Sequence, residues 1–310
     1  MNTRFQRKNF DYVSYFFTGL TGAATFLILG ILVVILGNVI YHGSSSFSWR
    51  FVTGGTERDM FSVENAGILP MIVGTSIRVI LMTIFVVPIG VITAIYLTDY
   101  AHATSLFTRI IRGAVSNLAG VPSIVFGLFG LGFFISFVGQ NMDAALSQTE
   151  PLWGKPALIW ASLTLAVMTL PVVIIATEES LKAIPSGLRE ASLALGATKL
   201  ETILKIVLPQ ALPGILTGTI LAVGRAAGEV APILFTGAAY YMAHLPKSLT
   251  DQFMDMGYHV FILSTQSPNI EQTRPILYAT VLALLILTFA LNIVAVFVRA
   301  RMRANMRLLH

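Results

Sequence analysis

Six stretches of this sequence stay apolar for long enough to cross a bilayer, and a soluble fold has no interior large enough to hide them all. They cover residues 17–41, 79–97, 114–138, 158–176, 215–239 and 276–298. Crossing roughly 30 Å of hydrocarbon takes about 20 helical residues. A segment in lipid must also satisfy its own backbone polar groups. The reading is therefore an all-α integral membrane protein with six transmembrane helices. The balance of 55% hydrophobic against 11% charged residues excludes an ordinary soluble domain.

Six spans leave both termini on one face. On that face fall Arg4, Arg7, Lys8, Arg109, Arg112, Lys182, Arg189, Lys199, Lys205 and the four arginines from Arg299 to Arg307. Only Arg50, Arg58, Lys155, Lys247 and Arg274 fall opposite. The positive-inside rule then places both termini and the 178–210 loop in the cytoplasm. The net charge of +5 is explained by contact with anionic membrane lipid rather than by nucleic acid. The basic N-terminus leads into an apolar run too long for a cleaved signal peptide, so an uncleaved first span is expected. With no cysteine, disulfides and thiolate metal sites are excluded. The histidines, His42, His102, His244, His259 and His310, are scattered in loops or at the end without metal spacing, and neither metal nor cofactor is expected.

The 178–210 loop is the most informative polar stretch. Pro185 ends the preceding span, and Ser186 is placed to cap a short helix carrying Arg189, Glu190 and Leu193. Gly196 suits the left-handed turn that closes it. Thr198 and Glu201 form a capping box that opens a second helix, which Pro209 and Pro213 kink or end. The product is a helix, a tight turn and a helix, a shape that fits a groove on a soluble partner. An ordinary hairpin between two spans is the plainer alternative. The spacing of Glu190, Ala191 and Ser192, then Gly196, then Ile206, Leu208 and Pro209 resembles the EAA motif of ABC importer permeases. Ser192 stands where that motif usually has alanine.

Charge at membrane depth marks a second region. Arg225 and Glu229, four apart on one helix face in the middle of the fifth apolar run, can pair. A charge there costs about 2.5 to 3.5 kcal/mol on insertion scales and calls for a partner, a cavity or a substrate. Arginine's planar fork fits a tetrahedral oxyanion. Arg225 is thus expected to meet an anion in the pore while Glu229 holds the guanidinium when the pore is empty. The competing reading is a structural ion pair on a helix that packs through Gly224 and Gly228. Gly120 and Pro122 open the third span locally, and Ser123 offers a hydroxyl to the path, although such a hydroxyl often bonds its own backbone. Pro88, Pro122 and Pro171, with Pro232 late in the fifth span, either curve helices around a pathway or are simple packing irregularities. Arg78 starts the second span on the outer side, to meet anions or to snorkel to headgroups. Glu57, Asp59, Glu64, Asp251 and Asp255 are read as outer, solvated surface.

Residues 118–127, Thr169-Leu170-Pro171, the loop motif and the stretch from Arg225 to Pro232 together resemble the PstA-type permeases of the phosphate ABC importer, over roughly residues 67–300. The resemblance implies a five-helix permease core at 67–310, with 1–66 an appended tail, span and outer loop. It implies a PstC-type sister permease, a PstB-type ATPase dimer, a periplasmic PstS-type phosphate-binding protein and a bacterial inner-membrane location. It carries a transport role onto Arg225 and Glu229. Val230 departs from an expected threonine and removes a hydroxyl. No G-x-x-x-x-G-K-[ST] sequence is present, so the chain is not expected to be an enzyme, and ATP hydrolysis is assigned to a partner. The rival readings are the same machine with molybdate, sulfate or an organic solute as cargo, an ATP-independent secondary transporter or channel, and a membrane enzyme.

Overall fold

The computed structural model describes residues 12–56, 61–62, 65–102, 104–148, 150–242 and 244–307. Arg4, Arg7, Lys8, Glu57, Arg58, Asp59, Glu64, His310 and the side chains of Arg303 and Arg307 lie outside the described residues. Among those described, helices are the only regular elements, apart from one isolated bridge between Ala238 and Phe253. Six helices among the described residues are long and apolar enough to span a membrane.

The first span, α1 (Tyr12–Ser44), exposes nearly all of its surface, as a lipid-facing helix does. A short α2 (Trp49–Thr53) is capped by the Ser48 hydroxyl and buries Phe51. The second span, α3 (Leu69–Ile95), continues through a π-helical turn, Tyr96–Tyr100. It begins well before residue 79 because Arg78, which breaks the apolar run, is folded inside the helix packing.

The third apolar run divides into two helices. An amphipathic α4 (Leu106–Leu118) ends at a turn around Gly120, and Pro122 then opens α5 (Ser123–Phe129), which continues as a π-helical stretch, Gly130–Gly139, and α6 (Gln140–Ala145). Pro122 therefore starts a helix instead of bending one. Proline lacks the N–H that a first turn would leave unpaired.

The fourth span, α7 (Leu158–Lys182), is the most enclosed and forms the centre of the molecule. On one side, Gly90 of α3 packs against Val173. The 178–210 loop follows α7 as α8 (Ser186–Ala194) and α9 (Lys199–Thr202), and a π-helical turn, Ile203–Val207, joins α9 to α10 (Leu208–Gly228). Pro209 sits in the first turn of α10 and Pro213 inside it, so neither ends a helix. A Cβ on Gly214 would strike Ser180, and one on Gly218 would strike Ala176. Small residues here let two membrane helices approach closely. The close α7–α10 contact thus runs through Gly214 and Gly218, not Gly224 and Gly228; a Cβ on Gly228 would meet nothing.

The fifth apolar run does not remain a helix to residue 239. α10 stops at Gly228, Glu229 is extended, and Pro232 opens a one-turn α11 (Ile233–Thr236). The chain then folds over the far end of α7, where Ala157 N–H donates to Thr236 O and Leu158 N–H to Asp251 O. From there α12 (Met256–Thr265) runs into the last span, α13 (Ile270–Arg307). α1 lies along α13, with Gly43 against Tyr278. Phe51 and Ala66 pack with Met71, Met254, Met256 and Ile276.

Candidate functional site

The first candidate site is the end of α10 remote from the α8–α9 loop. Arg225 occupies the last turn and Glu229 the residue after the helix, a correction to their expected place mid-helix. They do pair, Arg225 Nε to Glu229 Oε1 at 3.4 Å. The side chains are 45% and 22% exposed, so the pair is a loose and accessible one. Ser123, the first residue of α5, is half-buried near the same layer: Leu118, Val121 and Phe126 share one apolar cluster with Ala222, Val223, Ala226 and Ala227. A Cβ on Gly127 would touch Ala231 O and Pro232, which brings the broken α4–α5 segment against the chain just after Glu229.

Arg78 is not at an outer mouth or among headgroups. Its side chain is fully buried, and its guanidinium reaches Asp255 Oδ2 at 2.8 Å, Ala226 O at 2.9 Å and Ala227 O at 3.4 Å. Asp255, read from sequence as solvated outer surface, is equally buried and is the N-cap of α12, accepting from Gly257 N and Tyr258 N. Asp251 is not a free acid either. It accepts from Lys247 N and Ser248 N, bonds that hold its carboxyl below the usual carboxylate range. His259 lies not in a loop but inside α12, buried.

The second candidate site is the α8–α9 knob. Pro185, not Ser186, takes the N-cap of α8, and the Ser186 side chain does not cap it. The capping box forms as expected, Glu201 N to Thr198 Oγ1 at 3.3 Å and Thr198 N to Glu201 Oε2 at 3.0 Å. Gly196 has φ +86, the left-handed turn between the two helices. Glu190 and Ala191 are exposed on α8, whereas Ile206, Leu208 and Pro209 are half-buried at the root. Leu208 packs against Ala94, Ile174, Val207 and Ala211. Ser192 does more than replace a small residue: its hydroxyl bonds that of Thr202 at 2.9 Å and ties α8 to α9.

Sequence reasoning placed Arg189 and Leu193 on the first helix of the knob but missed the rest of its apolar surface and the contacts that fasten its root. Leu188, Leu193, Leu195 and Leu200 stand exposed on the knob, Leu195 at 90%. Arg189 is bound at the root by Asp99 (3.2 Å) and by the carbonyls of Leu181 and Ile184. Lys199 lies over the Tyr100 ring at 4.8 Å, a cation–π contact. Arg112 of α4 bonds Glu178 of α7 at 2.6 Å and Leu97 O at 2.8 Å, beside an open cleft of about 280 Å³. Exposed leucines between polar residues were a readable signal; the ion pairs had none.

Two substitutions probe the knob locally. Gly196→Val is expected to destabilise the turn by about 1–2 kcal/mol, because a β-branched residue is strained at positive φ. Ser192→Ala is expected to cost about 0.5–1.5 kcal/mol, the net worth of one hydrogen bond. Limited proteolysis of the loop in detergent should rank them in that order.

A family model described as "Binding-protein-dependent transport system inner membrane component" matches residues 86–304. The chain belongs to this family. It is 33% identical over 71% of its length to a probable ABC transporter permease protein, YqgI, of Bacillus subtilis (strain 168), covering 68% of that protein. It is 34% identical over 73% of its length to the phosphate transport system permease protein PstA 1 of Mycobacterium tuberculosis (strain CDC 1551 / Oshkosh), covering 68% of it. Among solved structures, a bacterial ABC transporter involved in import of the acidic polysaccharide alginate matches 94% of this chain and 98% of that one, with TM-score 0.64 and 14% identity. That likeness concerns the fold alone, an all-helical arrangement of several long apolar helices.

Proposed function

We propose that the chain is a transmembrane permease subunit for inorganic phosphate in a bacterial inner-membrane ABC importer. ATP is hydrolysed on a separate, PstB-type subunit. The observation that carries the reading is the pairing of two features: an exposed helical knob with the spacing of the family's coupling motif, and an accessible arginine in the last turn of the fifth span. Similarity to curated phosphate permeases over most of the chain supports the cargo. In this reading the unit from residue 67 onward carries transport, with a PstC-type sister permease completing the pore and a periplasmic PstS-type protein delivering phosphate.

Each part then has a physical role. The knob, at Glu190, Ala191, Ser192 and Gly196, seats in the ATPase, while Ile206, Leu208 and Pro209 join it to α10. Closure of the ATPase dimer moves the knob and swings α7 and α10 about their small-residue crossing. Arg225 receives the anion and Glu229 holds the guanidinium between passages. Ser123 offers a neutral donor from the α4–α5 break.

The test is uptake of radiolabelled phosphate into proteoliposomes holding the whole complex, with sulfate and molybdate as competitors. ATP-dependent uptake resistant to excess sulfate is the expected result. Equal competition by sulfate removes the cargo assignment, and uptake without ATP removes the importer reading.

A further inference from the structure

Helix α10 ends in the carbonyls of its last turn, and a helix C-terminus carries about half a negative charge. That end also bears Arg225 and Glu229, where the proposed function has phosphate pass. Left bare, those carbonyls would repel the anion. Arg78 meets them from the protein interior, Nη1 on Ala226 O and Nη2 on Ala227 O. Ala226 O also accepts the N–H of Glu229 at 3.3 Å, so Arg78 and the Glu229 backbone share one acceptor. A shift of the guanidinium moves the residue that holds Arg225.

Arg78 is held in turn. Asp255 takes its Nη2 at 2.8 Å and the Thr75 hydroxyl at 2.9 Å, while its other oxygen caps α12 through Gly257 N and Tyr258 N. Thr75 closes the loop by accepting from Met256 N at 3.0 Å. The start of α12, the first half of α3 and the end of α10 thus meet on one fully buried ion pair. Such a pair brings little stability over an apolar equivalent, because desolvating two charges offsets their attraction. Its worth here lies in what it fixes.

The geometry points to Arg78 and Asp255 as positioning residues for the anion pathway: Arg78 neutralises the negative end of α10 and pins the turn that presents Arg225 and Glu229, and Asp255 keeps Arg78 there. The inference rests on the reading that Arg225 meets phosphate. Neither residue touches the anion.

The measurement is phosphate imported per ATP hydrolysed by the assembled complex in proteoliposomes. A fault in assembly lowers both rates together, whereas a misplaced turn lowers only the ratio. In the double variant Arg78→Met with Asp255→Asn, both charges go while asparagine still caps α12. The ratio is expected to fall about tenfold, the size of one lost charge-assisted hydrogen bond. Arg78→Lys keeps the charge without the fork, and a fall of about threefold is expected. In an Arg225→Gln background the double variant is expected to add clearly less than its full effect, since the part that acts through the placement of Arg225 is already lost. An unchanged ratio in the double variant, uptake and hydrolysis falling in proportion, or a full additional loss in the Arg225→Gln background overturns the inference. If the double variant does not assemble, Arg78→Lys decides, and a native ratio there is the overturning result. If Arg225→Gln alone leaves the ratio native, the pathway reading fails first and takes this inference with it. A loss in Arg225→Gln with none in the double variant sinks the positioning role alone.

Discussion

Arg225→Gln is expected to lower phosphate uptake by roughly ten- to a hundredfold, the loss of about 1.5–3 kcal/mol of charge-assisted bonding to the anion, while the complex assembles and still hydrolyses ATP. The prediction follows from how loosely Arg225 is held. Its contact to Glu229 is 3.4 Å long and its side chain is 45% exposed, so the guanidinium is neither sealed in packing nor fully spent on its partner. Free charge at membrane depth is costly unless it faces water or a ligand. Glu229→Gln removes the competing carboxylate, and a change of only a few fold is expected because the residue faces the anion as a rival acceptor, not as a ligand. Uptake and ATP hydrolysis measured on the same proteoliposomes check both. Native uptake by Arg225→Gln would make the pair a structural one.

The contrast between the buried Arg78 and the turns of the knob shows which parts of the structure were legible in the sequence. Apolar runs set the number of spans, since a bilayer's thickness is a fixed ruler. The turn chemistry of the knob was legible because it is local: Gly196, Thr198 and Glu201 act on neighbours within a few residues. Arg78 and Ala226 lie 148 residues apart in the chain, and no periodicity announces their meeting. Arg78 therefore read as an edge residue, and α3 was started too late. The end of α10 failed for another reason. Gly228 and Pro232 mark a break, but Ile233, Leu234 and Phe235 keep the chain apolar past it. Apolar content measures residence in lipid or core, not helix continuity. The same ambiguity merged α4 with α5, although Arg109 and Arg112 already marked α4 as a separate amphipathic helix.

The knob separates binding from transmission, and paired substitutions should expose the division. Its outward surface carries Leu188, Leu193 and Leu195, exposed apolar side chains of the kind that anchor a helix in a groove. Leu193→Asp with Leu195→Asp places two charges in that groove and is expected to abolish copurification of the ATPase, since desolvating even one unpaired charge costs several kcal/mol. The root is different. Arg189 joins Asp99, and Lys199 covers Tyr100, both on the π-helical end of α3. The knob is therefore fastened to α3 as well as to α7 and α10, and a push on it reaches three spans at once. Arg189→Met with Asp99→Asn removes the ion pair to α3 without leaving a lone charge, and the Lys199–Tyr100 contact still ties the knob to that span. That variant is expected to retain the ATPase and hydrolyse ATP while importing about tenfold less phosphate, a coupling loss of the size of one charged hydrogen bond. Crosslinking from a cysteine placed at Glu190, in a chain that has no other, reports binding directly. A root variant that loses the ATPase crosslink, or a face variant that keeps it, would show that attachment and force transmission are not separable in this loop.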